Sequence, residues 1–169
     1  RAVLRDIIDS GQHREIADLA RRRLEGERES ADTMDLIEKV FLLQKIDLLQ
    51  DARSAHLALL ASIAEEVEAD PETVLIRQDE PTDALYVVTR GEVRLTGVAN
   101  QQLTAGAGQA FGTWALIDEA PSLVTATVAE PSRLLRITRT DFHDLLADHP
   151  ELALGLLQGL ARRVRTLVA

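Results

Sequence analysis

Residues Phe111 to Val128, FGTWALIDEAPSLVTATV, decide how the rest of the chain is read. They predict the end of a strand, a glycine, one short helix, a turn marked by Pro121 and a second strand. A helical turn opening just after Gly112 leaves backbone N–H groups without helical partners and turns a positive dipole end outward. Such an end suits an anion, above all a phosphate. The plain alternative is that Phe111-Gly112 only turns a strand into a connecting helix, because a single glycine is common punctuation.

The wider pattern favours the first reading. Phe111, Gly112, Ala115, Leu116, Pro121 and Thr125 fall without a gap on the pattern F-G-E-h-A-L followed by P-R-x-A-T, where h is apolar. Upstream, Asp83-Ala84-Leu85-Tyr86-Val87-Val88 followed by Gly91-Glu92-Val93 reads as a hairpin of the form D-x-L-Y-V-h-x-x-G-x-V. On these residues the chain resembles the cyclic nucleotide-binding domain family, the catabolite activator-like jelly rolls, from Met34 to Thr166. The resemblance implies an α+β fold with N-terminal helices, an eight-stranded antiparallel β-roll (a double-stranded β-helix or jelly roll), a short cassette helix and two C-terminal helices. It also implies cyclic AMP or cyclic GMP as the ligand, with no other cofactor.

Two positions depart from the family. There the Glu after F-G holds the ribose 2′-hydroxyl and the Arg after Pro pairs with the cyclic phosphate; this chain has Thr113 and Ser122. Aligning backwards from Ala126-Thr127-Val128 puts Val124 at the Arg position, so neither register restores the charge. Removing the partner of a buried charged group typically costs about 2–5 kcal/mol of binding. The expectation is a divergent phosphate-binding cassette with weak or lost cyclic nucleotide binding. Its ligand-binding residues would be Phe111, Gly112, Thr113, Trp114, Ala115, Leu116, Ser122, Leu123, Val124 and Thr125, with the Ser122 and Thr125 hydroxyls as the remaining side-chain donors. Trp114, the one Trp, either blocks the seat or offers a stacking face beside it, and blocking or plain core packing is the favoured expectation. Arg162, Arg163 and Arg165 of the last helix are an alternative source of the lost charge.

Composition bounds what surrounds the cassette. The 169 residues suffice for one domain plus an appendage, and 46% hydrophobic with 28% charged residues is ordinary for a globular protein. A formal net charge of −9 repels a polyanion, so nucleic acid is not an expected partner. The absence of cysteine removes disulfides and thiolate metal sites. No apolar run approaches a bilayer span, so no direct membrane insertion of this segment is expected. Seventeen of the 19 basic residues are Arg, which reads as compositional bias without functional content.

In chain order, residues 1–31 read as a helical lead-in of two amphipathic stripes, Val3, Leu4, Ile7, Ile8 and then Ile16, Leu19, Ala20, Leu24. The end of a helical repeat array is one reading of that pair. The family-like domain is placed at 32–169. Within it one helix is expected from Asp32 to Leu43, with Leu36, Ile37, Val40 and Phe41 as its apolar face. A second is expected from Ser54 to Glu66, with a solvated His56 near its start. From Val67 onward, turn residues recur every ten residues or so and separate short apolar runs, as in an antiparallel sandwich or barrel. Strands are expected at Thr73–Ile76, Ala84–Thr89, Glu92–Leu95, Val124–Ala129 and Leu134–Ile137. The interior would hold Leu75, Leu85, Val87, Val93, Leu95, Phe111, Val128 and Leu135 or their neighbours. Gly91 is expected at a positive-φ turn position. Thr138-Arg139-Thr140-Asp141 predicts a capped helix start, and His149-Pro150 its end. The last helix carries Ala153, Leu156 or Leu157, Leu160, Val164 and Leu167 at coiled-coil-like steps, and this predicts a dimer seam or packing on the roll.

Catalysis finds no support. The histidines at 13, 56, 143 and 149 show no metal spacing, and no nucleophile-elbow, Walker-type or H-E-x-x-H pattern occurs. The resemblance implies a cytoplasmic regulatory or sensor module, expected as the C-terminal part of a larger protein, with membrane transport proteins as a fold-level analogy. The other reading is a ligand-free scaffold or dimerisation module acting through the last helix.

Overall fold

The computed structural model describes residues 33–50, 52–97 and 102–168. The two expected helices of the lead-in lie outside these residues. Helix α1 (Leu36–Gln44) starts where Asp35 and Glu38 cap each other: the Asp35 carboxylate accepts from Glu38 N (2.8 Å) and the Glu38 carboxylate from Asp35 N (3.2 Å). That box sets the start later than the expected Asp32. The expected apolar face is also corrected, because Leu36, Ile37 and Phe41 are exposed while Leu43 is fully buried. Helix α2 (Ser54–Ile63) follows a single 3-10 turn at Asp47–Leu49.

Eight strands come next: β1 (Glu65–Ala69), β2 (Val74–Ile76), β3 (Ala84–Arg90), β4 (Val93–Gly97), β5 (Gln102–Ala105), β6 (Ala110–Phe111), β7 (Val124–Val128) and β8 (Ser132–Thr138). They form two antiparallel four-stranded sheets, in the orders β1-β8-β3-β6 and β2-β7-β4-β5. The expected α+β jelly roll with eight strands is the fold observed. β1 was expected to be helix as far as Glu66. Three of its five residues are Glu, poor strand formers, but as an edge strand it pairs along β8, and one Glu68 carboxylate oxygen, Oε1, accepts from both Nε and a terminal nitrogen of Arg133 (3.0 and 2.8 Å).

The roll interior consists of Ile76, Ala84, Tyr86, Val88, Val93, Ala105, Phe111, Ala126, Val128 and Leu134. On β3 and β8 these are the neighbours of the expected Leu85, Val87 and Leu135. Those three are equally buried but lie on the opposite face of the sheet, by the two-residue alternation of a strand. Helix α3 (Arg139–Asp148) packs against β8 and α1 against β3 on the way out of the roll. Gly91 has φ +89, and a Cβ there would lie 2.3 Å from Ser132 Oγ, so only glycine fits this hairpin.

Helix α3 is capped as expected, with Thr138 Oγ1 accepting from Asp141 N (3.1 Å). Helix α4 (Pro150–Val168) packs inward through Leu152 and Leu156. The expected solvated His56 is instead buried on α2. The ring lies against Gly155, where a Cβ would be 3.0 Å from its Cε1 and Nδ1, so the glycine lets α4 approach the imidazole closely.

Candidate functional site

Between β6 and β7 the chain folds as the cassette pattern predicts. Gly112 takes φ +74, ψ 16 and turns Phe111 directly into a 3-10 helix at Thr113–Leu116. A Cβ at Gly112 would meet Ala84 O at 2.6 Å, so the left-handed turn is both conformationally and sterically reserved for glycine. Phe111 anchors the turn from the roll side. Its ring stacks on Tyr86 at 5.3 Å between centroids, and the two residues are cross-strand partners. Tyr86 is in turn opposite Arg136 of β8. Burial pushes the Tyr86 hydroxyl pKa above its ordinary value, an effect that the nearby Arg136 guanidinium opposes.

The return limb is held by backbone pairing. Asp79 N donates to Ser122 O (2.8 Å) and Ser122 N to Glu80 O (2.9 Å), next to a bridge between Pro81 and Pro121. Of the two hydroxyls expected as ligand donors, Ser122 Oγ donates to Val124 O (2.8 Å), while Thr125 Oγ1 accepts from Gln78 N (3.0 Å). Ala115 and Leu116 are buried and fix the helix to the roll, whereas Leu123 is exposed. Trp114 is 62% exposed, which corrects the expectation that it packs in the core. On a three-residue-per-turn helix, with Ala115 and Leu116 turned inward, position 114 points to solvent. Arg162 and Arg165 of α4 are exposed as well.

Among the described residues a cation from outside the cassette does reach it. Arg139, first residue of α3, donates from Nε to Ala115 O and from one terminal nitrogen to Thr82 O (2.6 Å) and Asp118 O (2.8 Å). Its other terminal nitrogen stands 3.7 Å from a Glu119 carboxylate oxygen. One turn on, His143 Nε2 lies 3.0 Å from Leu116 O. The signal available in the sequence was their i, i+4 spacing on a helix that directly follows β8. Nothing in that spacing specified backbone carbonyls as the partners. Among the described residues no group of His, Asp or Glu is arranged to hold a metal, and no helix is long and apolar enough to cross a membrane.

The roll, the cassette and their order agree with known proteins. Residues 66–149 match the family model described as the cyclic nucleotide-binding domain, and the chain carries a domain of that family. A CRP-like cAMP-activated global transcriptional regulator of Mycobacterium tuberculosis is 26% identical over 129 residues, covering 73% of this chain and 58% of that protein. The cyclic AMP receptor protein of Thermus thermophilus is 37% identical over 93 residues, 52% of this chain and 43% of that protein. Among solved structures, the N-terminal domain of a transcriptional regulator from Streptomyces coelicolor superposes with a TM-score of 0.64 at 29% identity, covering 75% of this chain and 91% of that one. The chain thus spans about half the length of these curated relatives.

Proposed function

We propose that this chain is the regulatory module of a larger protein, built on the cyclic nucleotide-binding roll, in which binding of cyclic AMP or cyclic GMP is weak or lost. The observation that carries this reading is the state of the two specifying positions. Thr113 and Ser122 bring no charge to the seat, and the Ser122 hydroxyl is spent on Val124 O. A cyclic phosphate placed at Gly112 would meet backbone N–H groups without the guanidinium that makes such a pair strong. In a competent member the phosphate draws in the cassette and shifts the last helices between two populations. Here that input is weakened while the helices that deliver the output remain. Calorimetric titration of the purified chain with cyclic AMP and cyclic GMP, followed in parallel by Trp114 fluorescence, tests the reading. No saturable signal up to millimolar ligand is expected, and micromolar binding would refute it.

A second reading, a dimerisation scaffold, draws on a different observation. Leu154, Leu157, Ala161, Val164 and Val168 recur at steps of three and four along α4 and are all exposed, while Leu152 and Leu156 of the same helix are buried. This seam keeps the Leu157 alternative and Val164 of the expected one but takes Leu154, Ala161 and Val168 in place of Ala153, Leu160 and Leu167, since Leu156 is buried and Ala153 and Leu160 are half-buried. Sedimentation should show a dimer that Leu157→Glu converts to monomer; an unchanged monomer in both would remove this reading.

A further inference from the structure

We infer that Arg139, seconded by His143, is a built-in clamp that holds the cassette closed without any ligand and ties it to α3. The 3-10 helix ends at Leu116, and the last carbonyls of any helix have no partners within it. Here the last two are met from a neighbouring element: Arg139 Nε takes Ala115 O, and His143 Nε2 is 3.0 Å from Leu116 O, while a terminal nitrogen of Arg139 takes Asp118 O just past the helix. The same guanidinium reaches Thr82 O, and the Arg139 backbone N–H donates to Asp83 O at 2.6 Å, so the arginine joins three segments: the cassette, the approach to β3 and the start of α3.

Several features mark this as more than a surface contact. The planar guanidinium uses its donors on three separate carbonyls and faces Glu119 with the remaining nitrogen, a fan of bonds that Lys cannot reproduce. The side chain is only 17% exposed, so these charge-assisted bonds are partly shielded from water. Positive charge at a helix C-terminus also complements its dipole. In this arrangement the cassette's position is set from its C-terminal end by the protein's own cation. Closure then needs no phosphate at the Gly112 end, and any force that moves the cassette is passed directly to α3 and, through the α3–α4 packing, to the last helix. Arg139 and His143 act here as positioning residues for the cassette.

The inference rests on residues 111–128 acting as a cassette, but its test uses no nucleotide and so stands or falls separately from ligand binding. Hydrogen exchange of the whole chain would be compared for wild type, Arg139→Ala, Arg139→Lys, His143→Ala and His143→Gln. Loss of the clamp in Arg139→Ala should speed exchange of the amides from Gly112 to Glu119 by on the order of tenfold or more, with β3 and β8 unchanged. Arg139→Lys should fall between the two and keep the fold if Arg139→Ala does not. His143→Ala should show a smaller local effect that His143→Gln, which keeps a side-chain donor, largely restores. Fluorescence anisotropy of Trp114 should fall in step with cassette exchange. Unchanged cassette exchange in Arg139→Ala would overturn the clamp, and so would a uniform rise across the roll, which would make Arg139 a general stabiliser.

Discussion

The two ends of the four-residue helix Thr113–Leu116 are supplied with charge in opposite ways. At the Gly112 end the left-handed turn opens the helix with the uncharged side chains Thr113 and Ser122 at the positions the family pattern fills with Glu and Arg, and the nearby hydroxyls bond to neighbouring backbone. At the Leu116 end, Arg139 and His143 crowd onto carbonyls that a free helix end would leave to water. The difference separates shape from charge. Gly112, the Phe111–Tyr86 stack and the Arg139 bonds hold the turn, while positions 113 and 122 carry no charge, and the proposed function rests on those two positions.

The largest effect on this contrast should come from Gly112→Val. With φ +74 and a Cβ 2.6 Å from Ala84 O, strain and overlap add, and a loss of about 3 kcal/mol of stability is expected in denaturant unfolding. Next comes the asymmetry between the ends. Arg139→Ala should cost about 2 kcal/mol, because it strips charged donors from partly buried carbonyls, whereas Thr113→Ala should stay within about 0.5 kcal/mol. Equal costs at the two ends would break the comparison.

A smaller effect concerns the floor of the Gly112 end. Tyr86 is the one tyrosine, so absorbance reads it alone. Burial raises its pKa in the fold above the ordinary tyrosine value of 10.0, so above pH 10 the unfolded chain loses the proton that the folded chain keeps. Stability is therefore intact below pH 10 and declines as pH rises through the folded pKa, and Tyr86→Phe should remove that decline. A folded-state titration midpoint at or below 10.0 would contradict the buried stack.

Much of this architecture was legible because its signals are local. Gly91 marks a positive-φ turn, Gly112 the opening of the short helix, Thr138 with Asp141 the start of α3, and the apolar runs between prolines and glycines mark five of the strands. The failures have physical causes. The run ALYVV of β3 is buried on both faces, so alternation could not say which side chains enter the roll. β1 is a strand by pairing with β8 rather than by propensity. His56 looked like surface because nothing local announces that Gly155, 99 positions later, will cover it. In the cassette, the turn and its missing charges could be read directly, but Arg139 could not. Its partners are backbone carbonyls brought near by the roll, and carbonyls leave no trace in a sequence pattern.

The central claim is that the seat keeps its shape and lacks only charge. Side-by-side calorimetric titration of wild type and the double variant Thr113→Glu, Ser122→Arg with cyclic AMP tests this most directly. The account predicts no saturable heat for wild type up to millimolar ligand and saturable binding for the variant, tighter by a factor on the order of 30 or more. Micromolar binding by wild type, or a variant that folds and still takes up no ligand, would contradict it.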